Sequence, residues 1–257
     1  MALGVTTAFA GPLQPHRAVY DVELADATER SGILGMRGRM VYEFRGAECE
    51  GYTTNFRFVT QIGARGVPTR VTDQQTTTFE AGDGSLFRFV TKTFVDSTPD
   101  QEVEGTATMA EEGVVVDLKE PTDLQLDLDA ALFPTSHMLN LLERAAEGER
   151  FYEQKIFDGS DDGDRVMTTT VILGAEKTAE PTDLEALVAP VLTENPYRKV
   201  SIAYFDETDT TGEGLPEYRI AFKMLGNGIT RDLELDYGDF ALRGTLKELE
   251  LFDASAC

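Results

Sequence analysis

The stretch that decides the fold is RMVYEFRGAECEGYTTNFRFVTQI, residues 39–62. Apolar and polar residues alternate on both sides of a break that contains glycine, alanine and glutamate. Alternation with a period of two is typical of β-strands that bury one face. The stretch therefore predicts two strands around a short break, with Cys49 at the start of the second strand.

The same pattern continues outward from this pair of strands. Residues 17–24 alternate before it, and residues 71–79, rich in threonine, and 86–95 follow it as further strands. Glycine-containing turns separate most of these segments, as Gly82-Asp83-Gly84 does. Similar short segments continue to the end of the chain, so the pattern predicts roughly a dozen or more strands.

The period changes to that of a helix only near the middle of the chain. Met138, Leu141, Leu142 and Ala145 lie at i, i+3, i+4 and i+7, which predicts an amphipathic helix over residues 134–146. Pro134 or Thr135 can begin this helix, and Gly148 can end it. A second short helix is predicted over residues 183–190, with Leu184, Leu187 and Val188 on one face.

The remaining organisation points to one domain over residues 11–257. Neither a linker nor a repeat of fixed period interrupts the pattern, and tight turns between strands favour antiparallel pairing. The last strand changes its apolar face near Lys247-Glu248, which predicts a β-bulge there. Residues 1–10 end in Ala8-Phe9-Ala10 and are interpreted as the remnant of a secretion signal.

Composition excludes several classes of function. The net charge of −23 over 257 residues argues against binding to nucleic acid or to an anionic membrane surface. Solubility is the favoured explanation of this charge, with a basic partner or a cation store as the alternative. No apolar run is long enough to span a membrane. Two cysteines and an export-like start predict a periplasmic location.

The residues that could carry chemistry form no recognisable catalytic set. His16 lies in the leader ahead of the first strand, and His137 neighbours Ser136 on a helix, where adjacent side chains diverge by about 100°. A zinc ligand set and a CxxC motif are absent from the sequence. We therefore predict a protein that is not an enzyme and uses no metal or other cofactor.

The acidic turn at residues 158–164, DGSDDGD, partly resembles a calcium loop. Asp158, Ser160, Asp162 and Gly163 occupy the first, third, fifth and sixth positions, but Thr169 stands where the motif needs a glutamate. A hairpin loop rich in turn-forming residues is the favoured interpretation, and weak calcium binding stays open.

Cys49 and Cys257 allow three arrangements from the residues alone. They can form a bridge within the chain, remain as two thiols, or link two chains. A bridge would hold the last strand beside the Cys49 strand and would stabilise the fold by about 5 kcal/mol at most.

Several short motifs together resemble the cell envelope integrity protein B (EipB) family of alphaproteobacteria. The resemblance spans residues 16–257 and is carried by Tyr42-Glu43, Cys49-Glu50-Gly51-Tyr52, Arg57-Phe58-Val59-Thr60, Leu132-Phe133-Pro134-Thr135, the FDGSDDG run at 157–163 and Cys257. It implies a periplasmic protein with one antiparallel β-spiral, an open barrel-like sheet of about 14 strands with two short helices. Carriers that move lipoproteins across the periplasm have similar folds.

The resemblance also implies specific features of this chain. It implies an intramolecular disulfide between Cys49 and Cys257, and an apolar cup floored by the 134–146 helix. We expect Phe133, Met138, Leu141 and Leu142 to belong to this cup. The expected function is support of envelope integrity through binding of a lipid, an acyl chain or a lipoprotein segment. The alternative is a scaffold that binds a periplasmic protein and holds no small ligand.

Overall fold

Fourteen antiparallel strands form one unclosed sheet in the computed structural model, which describes residues 13–206 and 214–255. Period-two alternation drives this architecture, because each strand buries one face. The strands are β1 His16–Ala27, β2 Ile33–Ala47, β3 Gly51–Ala64, β4 Arg70–Glu80, β5 Leu86–Val95, β6 Thr98–Met109, β7 Val114–Glu120, β8 Leu124–Leu128, β9 Phe151–Ile156, β10 Met167–Lys177, β11 Tyr197–Asp206, β12 Tyr218–Leu225, β13 Thr230–Asp236 and β14 Phe240–Leu251.

The order of the strands is simple. Every strand pairs with its neighbours along the chain, except that β8 and β9, which are joined through α1, do not pair with each other, and β1 also pairs with β14 at the centre of the sheet. Strands β1–β8 run outward from this central pair on one side, and β14–β9 run outward on the other. The two edges are β8 and β9. The predicted class, a mainly β protein with an open antiparallel sheet, is confirmed.

The β2–β3 hairpin differs from the prediction at Cys49. Strands β2 and β3 pair from Ile33↔Ala64 to Ala47↔Gly51, so Cys49 lies in the connecting turn and not in a strand. Gly46 and Gly51 flank this turn with φ values of 108° and 80°, a left-handed backbone that favours glycine. The expected position of the last strand is also wrong, since β14 pairs with β1 and β13 and not with β2 or β3.

The predicted bulge in the last strand is confirmed. Val19 pairs with Glu248 and Tyr20 pairs with Leu246, which leaves Lys247 as the extra residue. One unpaired residue turns the following side chains to the opposite face. This explains the change of apolar face that the sequence shows at this position.

The predicted long helix is present as α1, Pro134–Glu147, between β8 and β9. Gly148 ends it in the left-handed conformation, with φ of 87°. Leu141, Leu142 and Ala145 are buried in a cluster with inward side chains of β9–β12. No helix in the described ranges has the length and apolar character needed to cross a membrane.

The second predicted helix is present as a 3-10 helix, and its expected apolar face is wrong. Residues 183–190 contain a 3-10 helix, Leu184–Val188, and α2 is a separate short helix, Val191–Glu194. Leu184 and Leu187 are 78% and 63% exposed, and Ala186 is the buried residue. Asp183, at the start of this segment, forms ion pairs with Arg231 and Lys223, and these contacts fix the segment with the leucines outward.

Candidate functional site

A cavity of about 260 Å³ lies between the first turn of α1 and the inner faces of β2, β3 and β4. Its wall also includes Leu13 and Gln14, just before β1, and Asn227 and Gly228 in the β12–β13 turn. The helix therefore meets the curled sheet here without filling it.

One side of the cavity is apolar and largely aromatic. Tyr42 and Phe44 occupy alternate positions of β2, and Phe56 lies opposite Tyr42 on β3. Met138 of α1 faces them across the cavity. These positions follow directly from the two periods in the sequence, because every second residue of a strand shares a face and Met138 begins the apolar stripe of the helix.

A row of threonines forms another part of the wall. Thr54 pairs with Thr78 across β3 and β4, and Thr76 lies opposite Phe56. Threonine favours the pleated strand and carries both a methyl group and a hydroxyl. This row therefore adds hydrogen-bonding groups to a surface that is otherwise apolar.

A buried carboxylate fixes the start of α1. Phe133, at the N-cap, has no side-chain oxygen to accept from the first turn. Glu80, at the end of β4 and 2% exposed, supplies one instead. It accepts hydrogen bonds from Thr135 N at 2.7 Å, from Ser136 N at 2.8 Å and from Ser136 Oγ. Burial raises the pKa of Glu80, and these hydrogen bonds oppose the increase. No local pattern indicates a role for Glu80, although the lack of a capping side chain before Pro134 shows that the helix needs an acceptor from elsewhere.

The four expected cup residues do not share one surface. Met138 lines the cavity. Phe133 is buried against Phe87, with ring centroids 5.4 Å apart, in a separate aromatic cluster. Leu141 and Leu142, 0% and 4% exposed, pack into the main core. Of these four residues, Met138 is the one that lines the cavity.

His16 belongs to the cavity wall, contrary to its expected place in the leader. It is the first residue of β1, 4% exposed, and its ring lies 5.6 Å from that of Tyr42. Its Nδ1 lies 2.7 Å from the carbonyl oxygen of Gln14. Burial lowers the pKa of His16, so the ring is neutral at neutral pH.

Among the described residues, Asp158 is the one aspartate or glutamate in the cavity wall. Its Oδ1 accepts from Ser160 N at 2.9 Å. Burial, reinforced by the charge of Asp158, raises the pKa of Tyr204 and of Tyr218. The lining contains neither lysine nor arginine among the described residues.

Ser136 and His137 do not act as a pair. Ser136 Oγ donates to Glu80, and His137 is buried with no hydrogen-bond partner for Nε2 in the described part of the chain. Burial lowers the pKa of His137 to about 4. The serine hydroxyl is therefore bound to Glu80 and not to the imidazole, so the two neighbours form no Ser-His dyad.

The acidic turn is used for packing and for contacts within the protein. Asp161 forms an ion pair with Arg165, and Asp162 accepts from Gln101 Nε2 at 3.0 Å. Gly159 has φ of 69°, and a Cβ there would lie 2.6 Å from the Phe89 ring. Within residues 13–206 and 214–255, no three His, Cys, Asp or Glu side chains are grouped to hold a metal ion.

The C-terminal segment passes close to the Cys49 turn. Phe252 N donates to Pro15 O at 2.9 Å, and Ser255 Oγ donates to Glu50 Oε2 at 2.8 Å. No cysteine in the described residues is a free thiol. Cys257 lies outside the described residues, as does the 1–10 segment, so the Cys49–Cys257 pairing stays a prediction.

Comparison with known proteins agrees with this architecture. The model of the EipB-like family matches residues 7–253. The chain is 51% identical over 248 residues to the cell envelope integrity protein EipB of Brucella abortus (strain 2308), covering 96% of this chain and 88% of the relative.

A solved structure gives the same result at the level of the fold. It is the crystal structure of a β-barrel-like protein of the domain of unknown function DUF1849 from Brucella abortus. It superposes with a TM-score of 0.91 at 50% identity, covering 94% of this chain and 99% of that chain. The chain therefore belongs to the EipB-like family.

Proposed function

We propose that this protein supports the integrity of the cell envelope from the periplasm, without catalysis, by binding the apolar part of a ligand in the cavity beside α1. The ligand classes that fit are a lipid, an acyl chain or a segment of a lipoprotein. The name of the Brucella relative supports the role in the envelope. The cavity supports the binding.

The observation that carries the proposal is an apolar cavity at the contact between helix and sheet. Its volume of about 260 Å³ compares with the roughly 150 Å³ of an engineered apolar cavity that binds benzene. It therefore has room for one short chain or one side chain, and the rest of a larger ligand would remain outside.

A bulky substitution at Met138 tests the proposal. Met138→Trp places a larger side chain into the cavity, and Ile172→Trp, at a position 55% exposed on β10, is the matched control. In cells that lack the gene and are exposed to detergent stress, we expect the control to restore growth and Met138→Trp to fail at equal abundance. Full rescue by Met138→Trp, with the fold verified by circular dichroism, would contradict the proposal.

A scaffold for a periplasmic protein is the second candidate, and the edge of the sheet favours it. Strand β8 has no neighbour on its outer side in the described sheet, and its Leu124 is 46% exposed. Such an edge can accept an added strand from a partner. Crosslinking in cells from an introduced photoreactive residue at position 124 tests this candidate, and a protein adduct that persists with Met138→Trp would favour it.

A further inference from the structure

We propose that the group held in the cavity is an alkylammonium, the side chain of a lysine on an extended segment of a partner protein. This inference rests on the proposed function, because it specifies the ligand of the same cavity. It follows from the hydrogen-bonding groups of the wall, from its charge and from its size.

Most polar groups with a fixed role in the wall are acceptors; the exception is the Asn227 amide, whose Oδ1 accepts from Ile229 N at 3.4 Å and whose Nδ2 is a donor. The Gln14 carbonyl can only accept, so the contact of 2.7 Å assigns the proton of the neutral His16 ring to Nδ1 and leaves Nε2 as an acceptor. The Asp158 carboxylate accepts at both oxygens, and only Oδ1 is used by Ser160. The threonine hydroxyls can donate or accept and do not discriminate. A donor is therefore the complementary group.

The start of α1 and the Gln14 amide, two donor groups near the cavity that an anion could use, are already hydrogen-bonded within the protein. The first N–H groups of α1 would attract an anion, but Thr135 N and Ser136 N donate to Glu80. The Gln14 amide donates to Pro15 O and to Phe252 O. With no lysine or arginine in the described lining, a carboxylate or phosphate would enter without a charge partner and beside Asp158.

Size and charge together favour lysine over a lipid head group. The lysine side chain has an unbranched apolar stem that can pack against Phe44, Phe56 and Met138 while its ammonium reaches Asp158. An ethanolamine head group carries a phosphate next to its amine, and this anion would meet the same Asp158 carboxylate. The net charge of −23 also favours a basic partner.

Three six-carbon probes test the charge preference by calorimetric titration: hexylammonium, hexanol and hexanoate. We expect hexylammonium to bind about tenfold or more tightly than hexanol, because it gains a charge-assisted hydrogen bond, and hexanoate to bind least. Asp158→Asn should remove the advantage of the amine and keep the acceptor for Ser160 N. Asp127→Asn, on the exposed face of β8, is the control and should leave the order unchanged.

The outcomes separate this inference from the proposed function. Equal binding of the three probes, or tightest binding of hexanoate, would overturn the inference and leave the apolar cavity in place. If none of them binds, the proposed function fails as well. The same order of probe affinities in the wild type and in Asp158→Asn would also overturn the assignment of Asp158 as the partner of the ammonium.

A second pair of probes tests the source of the ammonium. An extended peptide with one lysine should bind, and the same peptide with acetyl-lysine should bind about tenfold more weakly, because acetylation removes the charge. Binding of phosphatidylethanolamine vesicles without binding of the lysine peptide would overturn the assignment to a protein segment.

Discussion

Removal of the Glu80 carboxylate tests how the sheet holds the helix beside the cavity. Glu80→Ala leaves two N–H groups of the first turn, those of Thr135 and Ser136, without their acceptor. Each buried N–H that loses its partner costs about 1–3 kcal/mol. The loss is partly offset because the variant no longer buries a carboxylate. We therefore expect the free energy of unfolding to fall by about 2–4 kcal/mol.

Urea unfolding monitored by circular dichroism measures this loss, and hydrogen exchange locates it. For a chain of this size the melting temperature should fall by about 5–15 °C. Amide protection should decrease mainly in the first turns of α1, since Glu80 contacts the helix only there. Glu143→Ala, at an exposed position of the same helix, is the matched control.

Free energies of unfolding of Glu80→Ala and Glu143→Ala that differ by less than about 0.5 kcal/mol, the range of ordinary surface substitutions, would show that Glu80 does not stabilise the start of the helix. Glu80→Gln adds a check on ionisation. Because burial raises the pKa of Glu80, the folded state holds its proton to higher pH than the unfolded state does. The stability of the wild type should therefore decrease as pH rises from the usual range of a glutamate to the raised pKa, and Glu80→Gln should lack this contribution.

Three further predictions concern the core and the termini. The pKa of His137 is lowered to about 4, so the unfolded state takes up a proton at this residue at higher pH than the folded state does. The free energy of unfolding of the wild type should therefore fall by about 2–3 kcal/mol between pH 7 and pH 4.5, and His137→Leu should lack this decrease. Mass spectrometry without reductant should show a loss of two hydrogens per chain, and Cys49→Ser with Cys257→Ser should lower the melting temperature but preserve the fold. Gly159→Ala should cost about 2–4 kcal/mol, against about 1 kcal/mol for Gly32→Ala, because both have positive φ but only Gly159 faces a ring within 3 Å.

Each of these has a contradicting result. Parallel pH profiles of wild type and His137→Leu would show that this ring does not titrate between the two states. Two free thiols in periplasmic material would exclude the bridge. Equal losses for Gly159→Ala and Gly32→Ala would show that the aromatic ring yields to the added methyl group.

The fold could be predicted because its determinants are local. Alternation in β2 and β3, and the stripe of Met138, Leu141 and Leu142, depend on residues a few positions apart, and the structure follows both. The change of face at Lys247 likewise marks a bulge that involves one residue. Such signals require no knowledge of distant parts of the chain.

The features that were predicted wrongly or not at all depend on contacts between residues far apart in the chain. The 3-10 helix at Leu184–Val188 has an apolar face in sequence, but Asp183 contacts Arg231 at 2.7 Å and Lys223 at 2.9 Å, and these ion pairs set its orientation. Arg231 is fully buried, which no local pattern indicates for an arginine. Glu80 reaches the helix across a separation of 55 residues in the chain.

The strand order has a consequence for how this architecture can change. Thirteen neighbouring pairs hold the fourteen strands, and twelve of them join strands that follow one another in the chain. The remaining pair, β1–β14, which we call the seam, is the only strand pair that joins the two ends of the described chain. A hairpin gained or lost at an outer edge would therefore disturb one register and leave the others intact. Strands can therefore be added or lost at the edges during evolution, whereas the β1–β14 seam has to be kept for the two halves to remain one sheet.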